Sequence, residues 1–342
     1  MAFKPWCCDE LLLRIEDASA IFVASFVFPS YVFVLIKAPA MLEGVFSVLP
    51  TPFLSDLSVD IHSLRKVIDL YIRAGVNGLT ASGVTSETAR LSSSERMLVL
   101  ETVMQHVNGR VPVIIGTSAD GLQTCIDLSR AAQSLGAAAV MISPPRLPKL
   151  SSVSVLAHFK QVASAVDLPI VAQDYPPVSG FTMEPALLAR IVSEIPAVKG
   201  IKLEDPPTPL KIARVLELTK SAEIVGGLGG SYLIEELMAG SVGAMTGFAV
   251  PELLVKIVGL FRSGKTGEAA ELFYQTVALM RFEFQESIGM AIRKEILRRR
   301  GAVVRADTRP PGASLDESTR RALESMLNWF RSTYKDLLWT LD

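Results

Sequence analysis

Cysteine is scarce in this chain: three in 342 residues, Cys7, Cys8 and Cys125. Three cannot build a disulfide framework, and none stands in a metal-type spacing with a histidine. Histidine is equally rare, with His62, His106 and His158 in separate helix-like segments. The sequence therefore asks for no metal and no cofactor, and its thiol usage fits a reducing, cytoplasmic setting. An excess of charge of either sign is missing too. The formal net charge is −1, which removes the electrostatic pull of a nucleic-acid binder. What is present is apolar: 49% of residues are hydrophobic and 20% charged, so a chain of this length can bury a large core.

One long uncharged run stands apart. "ASAIFVASFVFPSYVFVLI", from Ala18 to Ile36, is long enough to span a bilayer but lacks the basic start and small-residue exit of a secretory signal. Pro29 and the β-branched and aromatic content make it a poor helix. The favoured reading takes residues 1–40 as an extension upstream of a start at Met41. A membrane anchor at 18–36 is the alternative, and without one the protein is expected to be free of the membrane.

From Gly44 onward, short apolar runs alternate with amphipathic segments of helix length. The runs fall at 44–53, 77–83, 111–118, 137–145, 168–176, 198–205, 222–230 and 241–249. Between them lie stretches such as "DIHSLRKVIDLYIRAG" (60–75) and "DGLQTCIDLSRAAQSLG" (120–136). Asp60 and Asp120 are the expected N-caps, and Gly75, Gly136 and Gly240 the expected stops. "RAGVNGL", "SLGAAAV" and "MAGSVGAM" recur at the helix-to-strand joint, as if one unit were reused. Strands apolar on both faces, each followed by a helix, imply a parallel sheet covered on both sides. Eight such units predict an α/β fold, a (β/α)8 TIM barrel over 41–262. An open doubly wound sheet would carry a glycine-rich phosphate loop after its first strand, and "VLPTPF" is the opposite of one.

Residues 263–342 read as additional C-terminal helices. "TGEAAELFYQTVALMRF" is assigned to the barrel's eighth helix, and Ser314–Glu317 reads as a capping box before the last one. "RKEILRRR" (293–300) has no aromatic interleaving and is read as a solvated helix face rather than a nucleic-acid patch.

The chemistry centres on "VKGIKLED" (198–205), the sixth strand. Alternation puts Gly200, Lys202 and Glu204 on one face, with Ile201 and Leu203 on the other. Barrel enzymes gather their chemistry at the C-terminal ends of the strands, and Lys202 is in that half. Desolvation favours a neutral amine, which can attack a carbonyl to form a Schiff base. A buried ion pair with Glu204 or a neighbouring carboxylate accounts for the lysine equally well.

"GVFSVLPTPF", "SGVTSE", "GIKLED" and the spacing among them resemble the dihydrodipicolinate synthase and N-acetylneuraminate lyase superfamily, from Leu42 to about Gly301. The resemblance implies a homotetrameric (β/α)8 barrel with extra C-terminal helices and a Schiff-base lysine, which is Lys202 here. It implies that the loop "GVTSE" (83–87) grips the carboxylate of a 2-oxo acid through the Val84 and Thr85 amides and the Thr85 hydroxyl. The synthase members have a threonine where Val84 stands and a tyrosine where Gln173 stands. "SPPRLPK" (143–149) lacks the tyrosine lent to a neighbouring subunit, and an arginine for a second carboxylate is missing near Val178. One branch, the 2-keto-3-deoxy-L-arabonate dehydratases, also has glutamine for tyrosine, and "LPIVAQDYPPVSG" and "GAMTGFAVPE" are similar to it.

The expected activity is thus a Schiff-base lyase, most simply a dehydratase of a 2-keto-3-deoxy sugar acid. The alternatives are an aldolase of 2-keto-3-deoxy or 4-hydroxy-2-oxo acids, a 4-hydroxy-tetrahydrodipicolinate synthase, and a non-catalytic 2-oxo acid sensor. Thr85, Gln173 acting through a water, and Tyr175 are the candidates for moving protons, Tyr175 the weakest. Met245 is a candidate for the pocket wall, with plain barrel core the equal reading. "GGLGG" (226–230) is either a backbone cradle for the distal end of the substrate or simply space.

Overall fold

The computed structural model describes residues 20–25, 32–37 and 40–333. The chain divides into two compact units, Met1–Ala40 and Met41–Asp342. In the first, Ala20–Ser25 and Val32–Lys37 pair as an antiparallel two-stranded sheet, with Ala20 opposite Lys37. The described parts of the 18–36 run are therefore strands; its remaining residues lie outside the described ones. Among the described residues no helix is long and apolar enough to cross a membrane.

The second unit is built on eight parallel strands: β1 (Gly44–Val48), β2 (Gly78–Ala81), β3 (Val113–Gly116), β4 (Ala139–Ile142), β5 (Ile170–Asp174), β6 (Val198–Leu203), β7 (Glu223–Gly226) and β8 (Gly243–Thr246). Each pairs with the next, and β8 pairs with β1 to close the barrel. The expected eight runs are these eight strands. Closure depends on glycine, since a side chain at Gly243 would run into the backbone of its partner Gly44. The pleat sorts the side chains. Phe46, Val48, Met141, Val171 and Met245 fill the barrel's interior, while Val45, Leu79, Ile115, Val140 and Ile201 pack outward against the helices. Burying a strand on both faces removes almost all its apolar area from water, worth roughly 25 cal/mol per Å².

The helices around the barrel are α1 (Ile61–Arg73), α2 (Ser93–Val107), α3 (Leu122–Ser134), α4 (Ser152–Ala163), α5 (Pro185–Glu194), α6 (Thr208–Leu218), α7 (Leu233–Met238) and α8 (Pro251–Arg262). Asp60 caps α1 by accepting the Ser63 amide at 2.9 Å, and Gly75, Gly136 and Gly240 follow their helices with positive φ, as expected. Asp120 does not cap α3. That N-cap is Gly121, and the Asp120 carboxylate instead accepts the Arg146 amide at 2.9 Å, tying two loops together.

Beyond the barrel lie α9 (Thr266–Glu283), α10 (Gly289–Arg299) and α11 (Glu317–Thr333). Two expectations change here. "TGEAAELFYQTVALMRF" is a separate helix, because the chain breaks at Gly264, whose φ is 81°. The last helix is capped by Asp316, which accepts the Thr319 amide at 2.6 Å, and not by Ser314. A third change matters more. The 293–300 segment is a solvated face only toward its end, where Arg298 is exposed: Arg293, Lys294 and Glu295 are all nearly fully buried.

Candidate active site

The C-terminal mouth of the barrel opens into a cavity of about 470 Å³ whose lining includes Thr85, Gln173, Tyr175, Val178, Phe284 and Arg293. Its walls come from the loops after the strands and from the α9–α10 junction, so the C-terminal helices complete the site.

β6 carries Lys202 into the interior, where 4% of it is accessible. Its Nζ lies 3.2 Å from Glu204 Oε2, and both side chains are buried. The neighbouring strand contributes Gln173, in register with Lys202, and its Nε2 donates to the same Glu204 oxygen at 2.7 Å. The amide of Gln173 is thus committed to a carboxylate, where the sequence suggested a bound water. Lys202, in turn, has the ion-pair partner that its sequence allowed. A side chain at Gly227 would collide with the Glu204 carboxyl, and one at Gly226 with that of Glu236. The amides of Gly229 and Gly230 are already bonded to Thr246 Oγ1 and the Gly227 carbonyl, each at 2.9 Å. "GGLGG" is therefore space for two carboxylates, and two of its amides are not free for a ligand.

The loop after β2 is pinned from below. Ser86 Oγ donates to the Leu49 carbonyl at 2.6 Å and accepts the Gly83 amide at 3.1 Å, and Thr51 Oγ1 donates to the Ser86 carbonyl at 2.6 Å. The turn it holds is Val84–Ser86. Its leading amides, those of Val84 and Thr85, have no acceptor among the described residues, as the geometry of a helical start dictates. Glu87, at φ 56°, anchors the other side of the loop. It binds Lys294, Arg90 at 2.7 Å and the Arg309 amide at 3.0 Å.

Tyr175 lines the cavity. Burial pushes its phenol above the usual range, and the Glu204 and Glu286 charges add to the effect. The phenol is therefore held neutral, as a hydrogen-bond donor. Behind the strands, Lys211 clamps Asp174 at 2.6 Å and Asp205 at 2.7 Å. Burial pushes Asp174 up to about 6 against the opposing pull of Lys211.

Of the residues singled out from sequence, Lys202 and Gln173 meet on one carboxylate; Gln173, Thr85 and the half-exposed Val84 line the cavity, whereas Lys202 and Glu204 lie behind Gln173 and are not among its lining residues. Met245 is fully buried in the interior layer with Phe46 and Val225 and is not among the lining residues, so the barrel-core reading fits its place. Two groups were undervalued. Glu204 figured only as a partner for the lysine, although the Lys-x-Glu spacing puts both on one strand face. Arg293 was read as solvated. No group of three or more histidine, cysteine or carboxylate residues among the described ones is arranged to hold a metal.

Residues 41–329 match the Dihydrodipicolinate synthetase family. The chain is 33% identical over 290 residues to an L-2-keto-3-deoxyarabonate dehydratase of Azospirillum brasilense, covering 82% of this chain and 92% of that one. It is 29% identical over 300 residues to a 4-hydroxy-tetrahydrodipicolinate synthase of Methanopyrus kandleri, covering 84% and 95%. Among solved structures, the dihydrodipicolinate synthase of Rhodopseudomonas palustris superposes with a TM-score of 0.79 at 33% identity over 84% of this chain and 97% of that one. A prophage protein of the dihydrodipicolinic acid synthase family from E. coli K12, solved in complex with pyruvate, gives 0.80 at 27% identity over 85% and 99%.

Proposed function

The chain belongs to the dihydrodipicolinate synthetase family and is a lyase, and from that premise we propose that it dehydrates a 2-keto-3-deoxy sugar acid through an imine on Lys202. The observation that carries the reading is the buried Lys202–Glu204–Gln173 set at the barrel mouth, with an amide on β5 where the synthases have a phenol.

In this mechanism the Val84 and Thr85 amides and the Thr85 hydroxyl hold the C1 carboxylate, which aims the C2 carbonyl at Lys202. Glu204 takes the ammonium proton as the amine adds, so the buried pair discharges without creating net charge. It returns that proton to the C2 hydroxyl, which leaves as water, and the protonated imine forms. The imine acidifies C3. Glu204, again a carboxylate 3.2 Å from the lysine nitrogen, accepts the C3 proton and an enamine results. The enamine pair expels the C4 hydroxyl, which takes a proton from Glu204 and departs as a second water. Hydrolysis of the imine consumes one water and frees Lys202. Gln173 moves no proton; it fixes the carboxylate, because an amide is neither acid nor base near neutral pH.

Assaying a panel of 2-keto-3-deoxy acids tests the choice of reaction. Water loss without release of pyruvate is expected, and stoichiometric pyruvate would replace the dehydratase with an aldolase. Borohydride trapping tests the imine itself. Lys202→Ala should abolish both trapping and turnover, whereas Gln173→Ala should slow turnover by less and still be trapped. Loss of trapping in a folded Gln173→Ala would mean that Gln173 takes part in forming the imine. The family premise is also our ground for a homotetramer, which sedimentation at micromolar concentration tests.

A further inference from the structure

The far wall of the cavity contains a guanidinium with one arm unused. Arg293, on α10, has a side chain only 3% exposed, and its Nε lies 2.5 Å from Glu283 Oε1. The other Glu283 oxygen accepts the Ala249 amide at 2.9 Å. Arg293 Nη1 is buried and has no hydrogen-bond partner among the described residues. A buried, unsatisfied N–H of a charged group is costly, and the pairing it lacks is with an oxygen, best an anionic one.

The position of Nη1 says which oxygen. A side chain at Gly247 would overlap Nη1 and would stand 3.0 Å from Thr85 Oγ1. Nη1 thus takes the space that a side chain at residue 247 would fill, and that places it beside the Thr85 hydroxyl. Both residues line the cavity. Thr85 also belongs to the turn whose leading amides are free. Hydrogen-bond donors, one of them charged, thus stand side by side in the cavity wall.

We propose that Arg293 binds the C1 carboxylate of the 2-oxo acid together with Thr85, and so makes the site select for the acid over neutral ketones. This rests on the reading of the cavity as a 2-oxo acid site. Arg293 comes from beyond the eight βα units, so a C-terminal helix supplies a charged group to that carboxylate. Glu283 holds the guanidinium in place by its Nε and leaves Nη1 without a partner beside Thr85.

The test compares pyruvate with its neutral amide, pyruvamide, in borohydride trapping. Arg293→Met should raise the half-saturating pyruvate concentration about tenfold or more, the loss expected for a charge-assisted hydrogen bond, and leave pyruvamide trapping unchanged. Equal weakening for both compounds, or no change for pyruvate in a folded variant, overturns the proposal; the second result is what a guanidinium arm satisfied by water alone predicts. Should Arg293→Met fail to fold, Arg293→Lys keeps a cation for Glu283 but lacks the second arm, and the same pyruvate-specific loss is expected. If the wild type forms no adduct at all, the imine is wrong but the carboxylate site is still tested. Pyruvate should then raise the melting temperature of Lys202→Met and not that of Lys202→Met/Arg293→Met, and equal shifts in the two overturn it.

Discussion

Glu236 sits almost wholly out of water beneath the site, with one carboxyl oxygen accepting the Thr208 hydroxyl at 2.6 Å and the other without a partner. Burial pushes its carboxyl up to about 7; the Thr208 hydrogen bond opposes this, and the Glu204 and Glu235 charges reinforce it. In the unfolded chain the same group titrates near 4.5. Between these values the unfolded chain has lost the proton and the folded one still holds it. The contribution of Glu236 to stability is therefore complete below about pH 4.5 and lost as the pH rises through 7. Replacing it by glutamine removes the titration and keeps an acceptor for Thr208. The stability of Glu236→Gln relative to wild type should therefore rise between pH 4.5 and 8, by on the order of 3 kcal/mol. Urea unfolding at several pH values measures this, and a pH-independent difference would refute it. At this scale the sequence was legible in part. Alternation alone put Lys202 and Glu204 on one face, but only the folded barrel shows that Gly227 makes room for the carboxylate and that Gln173 is bonded to it.

Helix α10 is where periodicity misled. Seven consecutive residues, Ala291 to Leu297, are buried, so no polar face alternates with an apolar one and the charges look like surface. Their partners arrive from distant parts of the chain: Glu87 for Lys294, Glu283 for Arg293, Glu252 for Arg300. Such pairings cannot be read from local spacing. By contrast, the eight strands were legible because burial on both faces leaves an unbroken apolar run. Burial pulls the Lys294 ammonium down to about 8, with Glu87 opposing, and the pair holds the loop that carries Thr85. Lys294→Met should leave the buried Glu87 charge with the partly exposed Arg90 as its remaining ion-pair partner, destabilising the protein by about 3 kcal/mol and raising KM as the loop loosens. Removing both charges, in Lys294→Met/Glu87→Gln, should recover much of the stability. A double-mutant cycle on unfolding free energies checks the coupling, and additive losses would show that the two groups act separately.

On the scale of the whole molecule, the second unit contains every residue to which the proposed mechanism gives a role. The barrel closes on itself through β8 and β1. The ends of β5 and β6 supply Gln173 and Lys202, and α9 and α10 supply Glu283 and Arg293. The start of this unit is tied down by its own residues, with the Leu42 amide donating to Glu223 Oε2 at 2.8 Å and the Leu42 side chain fully buried in the barrel's interior cluster. A side chain at Gly200, two residues before Lys202, would strike Leu42, so the first turn of this unit plugs the bottom of the barrel under the lysine. Residues 41–342 should then fold and act by themselves. A chain starting at Met41 is expected to melt within a few degrees of the full-length protein and to trap pyruvate at the same rate per mole. If it loses its cooperative transition, or traps pyruvate several-fold more slowly, residues 1–40 support the barrel. Leu42→Ala in the same chain separates plug from extension: opening a cavity there should cost about 2–5 kcal/mol, whether or not the first forty residues are present.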